Sequence, residues 1–246
     1  INLLREASID PSVESIKITL YRVADSSIIA NALINAVKNG KKVLVLVELQ
    51  ARFDEENNIY WANKLQEEGA KVIFGVPGLK VHSKLFVIST RENGKEVHYA
   101  HIGTGNINKK TSRIYTDFSL LTAHKEIAGD LNRVFEFYEN NFKVHNFKHL
   151  LVAPFYMRKS LVTLINKEIH NARQGKPASM ILKMNSLVDK DMIAKLYEAS
   201  KTGVEITLII RGACSLVTEI EGWSDNIKAY SIVDKYLEHA RIFVFH

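Results

Sequence analysis

Short apolar runs of strand length alternate along the chain with stretches whose apolar residues recur at helical spacing. Residues 18–20, 43–47, 72–76 and 85–88 read as strands. Residues 25–39 read as an amphipathic helix, with Ile28, Ile29, Ala32, Leu33 and Ala36 on one side. Asp25, Ser26 and Ser27 offer caps at its start, and Gly40 stops it. Gly203 closes a second helix in the same manner. Strands that alternate with helices in this way predict α/β units.

The pattern occurs twice. A shift of 163 positions pairs Leu33 with Leu196, Ala36 with Ala199, Lys38 with Lys201 and Gly40 with Gly203, and a buried-type strand follows each glycine. A shift of 157 aligns residues 70–88 with 227–245 without a gap, pairing Lys71 with Lys228, Val76 with Val233, His82 with His239, Phe86 with Phe243 and Val87 with Val244. Five identities in nineteen positions exceed the about one expected by chance. Apolar strands repeat for reasons of packing alone. His82 with His239 and Lys84 with Arg241 are polar pairs that packing does not require.

Residues 141–157 hold Pro154 and several aromatics but little periodicity, which places the domain boundary near Leu150 and divides the chain into 1–149 and 150–246. A helix over about 157–172 then opens the second domain. The first copy runs on past its histidine strand through Glu92-Asn93-Gly94, a hairpin signal, into Gly103-Thr104-Gly105-Asn106 and a final helix. The second copy stops at His246, so the second domain is expected to be truncated, and a chain that opens on Ile1 reads as cut at both ends.

Composition narrows the classes. An apolar share of 46% over 246 residues supports a real core, and no apolar run approaches the length of a membrane span. A soluble, cytoplasmic protein is expected. Cys214 is the only cysteine, which excludes an intrachain disulfide and reads as a small packing residue. Lys41 and Lys42 read as a solvated turn, and Trp61 and Trp223 as packing residues. A net charge of +6 favours polyanionic partners. The basic residues are scattered without interleaved aromatics, so no nucleic-acid partner is expected.

The chemistry concentrates at Val81-His82-Ser83-Lys84, read as the head of a strand, where period 2 points His82 and Lys84 to one face. A neutral imidazole attacks phosphorus, and an ammonium offsets the charge that gathers on the equatorial oxygens. The His-x-Lys triplet followed by Gly103-Thr104-Gly105-Asn106 resembles the motif of the phospholipase D superfamily. In that superfamily two such motifs, one per half, place two histidines across one phosphate. His239-Ala240-Arg241 is the second copy here, and Ser89 stands where the superfamily motif carries an acid.

Longer stretches add to this. Residues 18–27, 48–55, 101–106, 115–117, 208–212 and 236–239 together resemble the bacterial polyphosphate kinase family over essentially the whole chain. The resemblance implies two phospholipase D-like α/β/α domains related by an internal repeat, the second one truncated. It implies reversible transfer of the ATP γ-phosphoryl group to inorganic polyphosphate through a phosphohistidine, with ATP or ADP as substrate and Mg2+ as cofactor. His82 matches the nucleophile and His239 the second histidine, which contacts nucleotide and exchanges a proton, while Tyr115 and Arg211 match ATP-binding positions. Arg22 and Arg52 match positions tied to the magnesium-phosphate site. A guanidinium has no lone pair for a metal, so both are expected to fork onto phosphate oxygens beside the ion.

Asp117 and Glu48 are read either as groups that orient a histidine or arginine or as solvated charges. A phosphodiesterase and a polyanion-binding domain without turnover are the competing functions. A homo-oligomer is expected of the full-length protein, and peripheral membrane association is compatible with the charge.

Overall fold

The structure is a computed structural model that describes residues 1–24, 27–49, 55–108, 111–143 and 145–246. It divides into two compact units, one of residues 1–113 and 118–150, the other of residues 114–117 and 151–246.

The first unit begins with α1 (Asn2–Ile9), β1 (Val13–Leu20), α2 (Ile28–Lys38), β2 (Lys42–Val47), α3 (Glu55–Glu67) and β3 (Lys71–Phe74). It continues with β4 (Lys84–Glu92) and β5 (Lys95–Gly103). The chain then lends β6 (Tyr115–Thr116) to the second unit and returns with β7 (Ser119–Thr122) and α4 (Lys125–Glu139). The sheet order is β3-β2-β1-β4-β5-β7. Strands β1, β2 and β3 are parallel, and β4 joins β1 antiparallel, with Ile16 opposite Ile88 and Ile18 opposite Phe86. Ile16, Ile18, Val45 and Val47 pack with Leu33 of α2 and Leu65 of α3 in one core. Between Ile16 and Ile18, Lys17 points the other way and donates to Asn132 Oδ1 of α4 at 3.0 Å, so helices cover both faces. That double cover is why β2 is apolar without alternation.

Local signals set the ends of α2. Ser27 Oγ accepts from Ala30 N, and Gly40 leaves the helix at φ 77°, a left-handed turn that a side chain resists. Asn93 and Gly94, at φ 50° and 75°, make the turn between β4 and β5 that the Asn-Gly pair predicts.

The second unit contains α5 (Met157–Arg173), β8 (Ser179–Met184), α6 (Lys190–Lys201), β9 (Glu205–Ile210), β10 (Ile227–Tyr230), β11 (Leu237–Glu238) and β12 (Ile242–Phe245). Its sheet order, β10-β9-β8-β12, repeats the order β3-β2-β1-β4, including the parallel trio and the antiparallel fourth strand. The repeat read from the sequence is therefore a repeat of topology. Helix α6 copies α2 as well, with Asp189 capping its start and Gly203 at φ 93° after its end. Ile165, Ile169, Leu196, Leu208 and Ile227 form the core of this unit. Strand β9 alternates buried and part-exposed residues, as a strand covered by helices on one face does.

Four expectations are corrected. Lys41 is buried, its Nζ donating to the carbonyls of Asp10 and Val13, because the stretch before β2 is covered by the turn that precedes β1. Lys42 is exposed as the first residue of β2 rather than part of a turn. Cys214 is exposed, since Gly212-Ala213-Cys214 has already left the strand. Trp223 is half exposed with the Lys201 ammonium 3.1 Å from its ring centroid, whereas Trp61 is buried and donates to Ala24 O at 2.9 Å. No helix among the described residues is long and apolar enough to cross a membrane.

Candidate active site

In the first unit the nucleophile candidate sits just ahead of β4, not within it. His82 is exposed, and the strand begins at Lys84. The ladder does not reach this segment because side chains hold its backbone instead. Glu48, buried at the end of β2, accepts from Val81 N at 2.7 Å. Thr19 of β1 donates to Ser83 O at 2.9 Å and accepts from Leu85 N at 3.0 Å. Ser83 Oγ lies 2.9 Å from the Tyr138 hydroxyl.

Lys84 does not share an open face with His82. Its side chain is buried, Nζ donates to His82 O at 2.5 Å, and the ammonium stands 4.5 Å from the Tyr21 ring centroid. Tyr21 meets the His82 imidazole edge-on, with centroids 4.6 Å apart. The ammonium thus supports the histidine from below through backbone, ring and charge.

Tyr21 and Glu48 are themselves fixed by one residue. Asn58 of α3 is fully buried, and its amide donates to Tyr21 O at 3.0 Å and Glu48 O at 2.9 Å while its carbonyl accepts from Val23 N at 3.0 Å. Sequence reasoning passed over Asn58, which looks like any polar helix residue. Arg22 lies between Tyr21 and Val23 at the end of β1 and is part-buried. Arg52 lies outside the described residues.

The glycine-rich segment after β5 is shaped by His101. This ring is buried, stacks on Phe86 at 4.6 Å and has Nε2 3.1 Å from Ser119 Oγ, while its Nδ1 has no partner. Burial pushes its pKa down to about 4, so the ring is neutral. A Cβ at Gly103 would come within 2.8 Å of the His101 ring, so glycine is required there by proximity. Ser89, at the acid position of the superfamily motif, pairs with His98 Nδ1 at 2.9 Å.

The second unit holds the other group. Residues 114–117 pair with β11 in a two-stranded parallel ribbon, with Leu237 N bonding Ile114 O at 2.8 Å and Ala240 N bonding Thr116 O at 3.0 Å. This strap brings Tyr115 and Asp117 to His239. The Tyr115 ring centroid is 5.0 Å from that of His239, and Asp117 Oδ1 is 2.7 Å from His239 Nδ1. A carboxylate at Nδ1 fixes the proton there and leaves the Nε2 lone pair open. Burial first, then Arg241 and Arg211, lower the His239 pKa, while Asp117 opposes them. The imidazole is consequently neutral near pH 7. Of the two readings of Asp117 and Glu48, the orienting one holds for Asp117 on His239, whereas Glu48 is buried against the backbone N–H of Val81.

Arg241 repeats the device of Lys84. Its Nη1 donates to His239 O at 3.2 Å, two residues back, from the position just before β12, as Lys84 does from the first residue of β4. Burial and the charge of Arg211 push the Arg241 pKa down, the mark of two guanidiniums gathered where one carboxylate does not balance them. Arg211 follows β9, with its Nε buried and without a hydrogen-bond partner. The adjoining Gly212 allows a close approach, for a Cβ there would stand 2.9 Å from Asn185 O. Two guanidiniums, a neutral imidazole with an open lone pair and an aromatic ring are groups with the charge and hydrogen-bonding capacity that phosphate oxygens require.

Comparisons with known proteins give the family and the fold. Residues 1–144 match the family model for polyphosphate kinase C-terminal domain 1, and residues 150–246 match that for polyphosphate kinase C-terminal domain 2. The chain is 56% identical over 245 residues to polyphosphate kinase of Escherichia coli K12, covering 100% of this chain and 36% of the relative. It is 56% identical over 244 residues to polyphosphate kinase of Vibrio vulnificus YJ016, covering 99% and 35%. The chain thus spans about a third of the length of the curated relatives it matches. The crystal structure of polyphosphate kinase from Porphyromonas gingivalis matches with a TM-score of 0.90 at 45% identity, over 99% of this chain and 40% of that one. Phosphatidylserine synthase from Haemophilus influenzae matches in fold, with a TM-score of 0.63 at 11% identity over 100% of this chain and 73% of that one. The repeated α/β units share the fold of these two structures.

Proposed function

Since the chain belongs to the polyphosphate kinase family, we propose that it carries the phosphoryl-transfer chemistry of an ATP–polyphosphate phosphotransferase, with the nucleophile in residues 1–149 and the second histidine in residues 150–246. The observation that carries this reading is the duplicated device: a histidine just ahead of the fourth strand of each repeat, with a cation two residues on that donates to that histidine's own carbonyl. Packing explains neither copy.

His82 attacks the γ-phosphorus of ATP through an imidazole nitrogen. The N–P bond forms as the bond from phosphorus to the β,γ-bridging oxygen breaks, and ADP leaves with that electron pair. A terminal oxygen of polyphosphate then attacks the same phosphorus, the N–P bond breaks, and the chain is longer by one phosphate. Each step runs in reverse. Lys84, held beneath His82, fixes the imidazole and offsets negative charge on the transferring group. His239 accepts or returns a proton at Nε2, the nitrogen that Asp117 leaves open. Arg211 and Arg241 fork onto phosphate oxygens, and Tyr115 offers an aromatic face to the nucleotide.

The described residues around His82 do not form an oxygen cage for Mg2+. Glu48 is buried and committed to Val81 N, and Arg22 offers no lone pair. Mg2+ would accompany the nucleotide as a counter-charge to its phosphates, beside Arg22. A cytoplasmic location suits a chain whose lone cysteine forms no intrachain disulfide.

The test is brief exposure to γ-labelled ATP followed by mapping of the modified residue. Acid-labile label on His82, absent from His82→Ala, is the expected result. Label that persists in His82→Ala sinks the assignment.

A further inference from the structure

Away from both histidine devices, three metal-ligating side chains converge at the start of α4. One ligand atom each from His124, Glu126 and His149 lies within 4.8 Å of the others. His149 Nε2 is 2.7 Å from Glu126 Oε2, and the His124 and His149 rings meet edge-on at 5.5 Å. His124 is the cap of α4, its Nδ1 accepting from Ile127 N at 3.5 Å, a long bond that is cheaply surrendered. Lys148 and His149 hold the Glu126 carboxyl down to about 2, so it is ionised in neutral solution.

The backbone beneath is preorganised. Asp130, one turn along α4 from Glu126 and fully buried, accepts from the backbone N–H groups of Lys148, His149 and Leu150 at 2.9, 2.7 and 3.1 Å. The segment that carries His149 is thereby fixed against the helix that carries Glu126. With metal bonds of about 2.1 Å, a 2.7 Å separation of nitrogen and oxygen subtends about 80° at a shared ion. Opening that separation by about 0.3 Å gives the right angle of an octahedron, and by about 0.7 Å the tetrahedral angle. Both fall within the freedom of exposed side chains.

We propose that His124, Glu126 and His149 form a binding site for a borderline transition-metal dication of the zinc class, completed by water. The two imidazoles set the choice of metal. Nitrogen donors suit Zn2+, Ni2+, Co2+ and Cu2+, whereas Mg2+ takes oxygen ligands, so this is not the place for the ion that accompanies ATP. Bound metal clasps the first turn of α4 to the segment entering Leu150. The opposing group is Lys148, whose ammonium competes for Glu126 Oε1.

Zn2+ titrated into the chain by calorimetry, with excess Mg2+ present, tests the site. His149→Ala and Glu126→Gln should each weaken binding at least about tenfold, and Lys148→Met should tighten it by removing the competitor. In nitrogen-15 spectra of the unsubstituted protein, the ring signals of His124 and His149 should shift at the first equivalents of Zn2+. Affinity that stays within twofold in both ligand variants overturns the proposal. So does a first equivalent that moves other histidines and leaves these two in place.

Discussion

Replacing Asp117 with asparagine probes the second histidine with almost no change of shape. The carboxylate holds the His239 proton on Nδ1 across 2.7 Å in a part-buried setting. A charge-assisted hydrogen bond of this kind contributes about 1.5–3 kcal/mol, which is roughly 10- to 150-fold in rate at about 1.4 kcal/mol per decade. An amide turns an N–H toward Nδ1 and moves the imidazole proton to Nε2, the atom needed open. The tautomer is read directly from nitrogen-15 spectra of the His239 ring, and the rate from transfer of labelled γ-phosphate to polyphosphate. The pH profile supplies a sign. A base must be neutral, so activity falls as pH drops through the His239 pKa, which already lies below 6.5. Asp117 is the influence that raises it, so Asp117→Asn should lower the plateau and shift the acid limb to lower pH. An unchanged Nδ1–H tautomer, or an acid limb that moves upward, refutes the reasoning.

Two further outcomes concern stability. His101 is buried with a pKa of about 4 against 6.5 for a free histidine, so the unfolded chain binds the extra proton between those values. Unfolding free energy should fall by about 3 kcal/mol as pH drops from 6.5 toward 4, and urea titrations at several pH values should show less of this fall in His101→Gln. Asn58→Leu strands three backbone groups that the amide satisfies, two of them in buried hydrogen bonds. It should cost about 3 kcal/mol in urea unfolding and slow labelling of His82, because Tyr21 and Glu48 lose their common anchor; wild-type values for both would contradict the positioning role.

Much of the α/β pattern was legible because burial and period coincide. Strand β2, covered on both faces, shows as an unbroken apolar run, and α2 and α6 carry their own caps and glycine stops. The repeat was legible where the same strand order forced the same residues. The surroundings of His82 were misread because the period-2 argument assumed a strand at residue 82. The ladder begins two residues later, after Glu48 and Thr19 have taken the backbone groups. Lys84 consequently turns beneath the histidine rather than beside it. Lys41 was misread for a related reason: a lysine that caps buried carbonyls has no sequence mark distinguishing it from one in water. The link between Asp117 and His239 spans 122 positions, and a ribbon of two residues per strand leaves no periodicity to find.

The strap of residues 114–117 makes the map of the gene differ from the map of the fold. An expression boundary at the linker near Leu150 looks clean in sequence. It would nevertheless send Asp117 and Tyr115 with one product and His239 with the other, leaving the imidazole without its carboxylate. The later half made alone therefore keeps its histidine but not the carboxylate that fixes it, and regains that partner only when residues 114–117 are supplied with it.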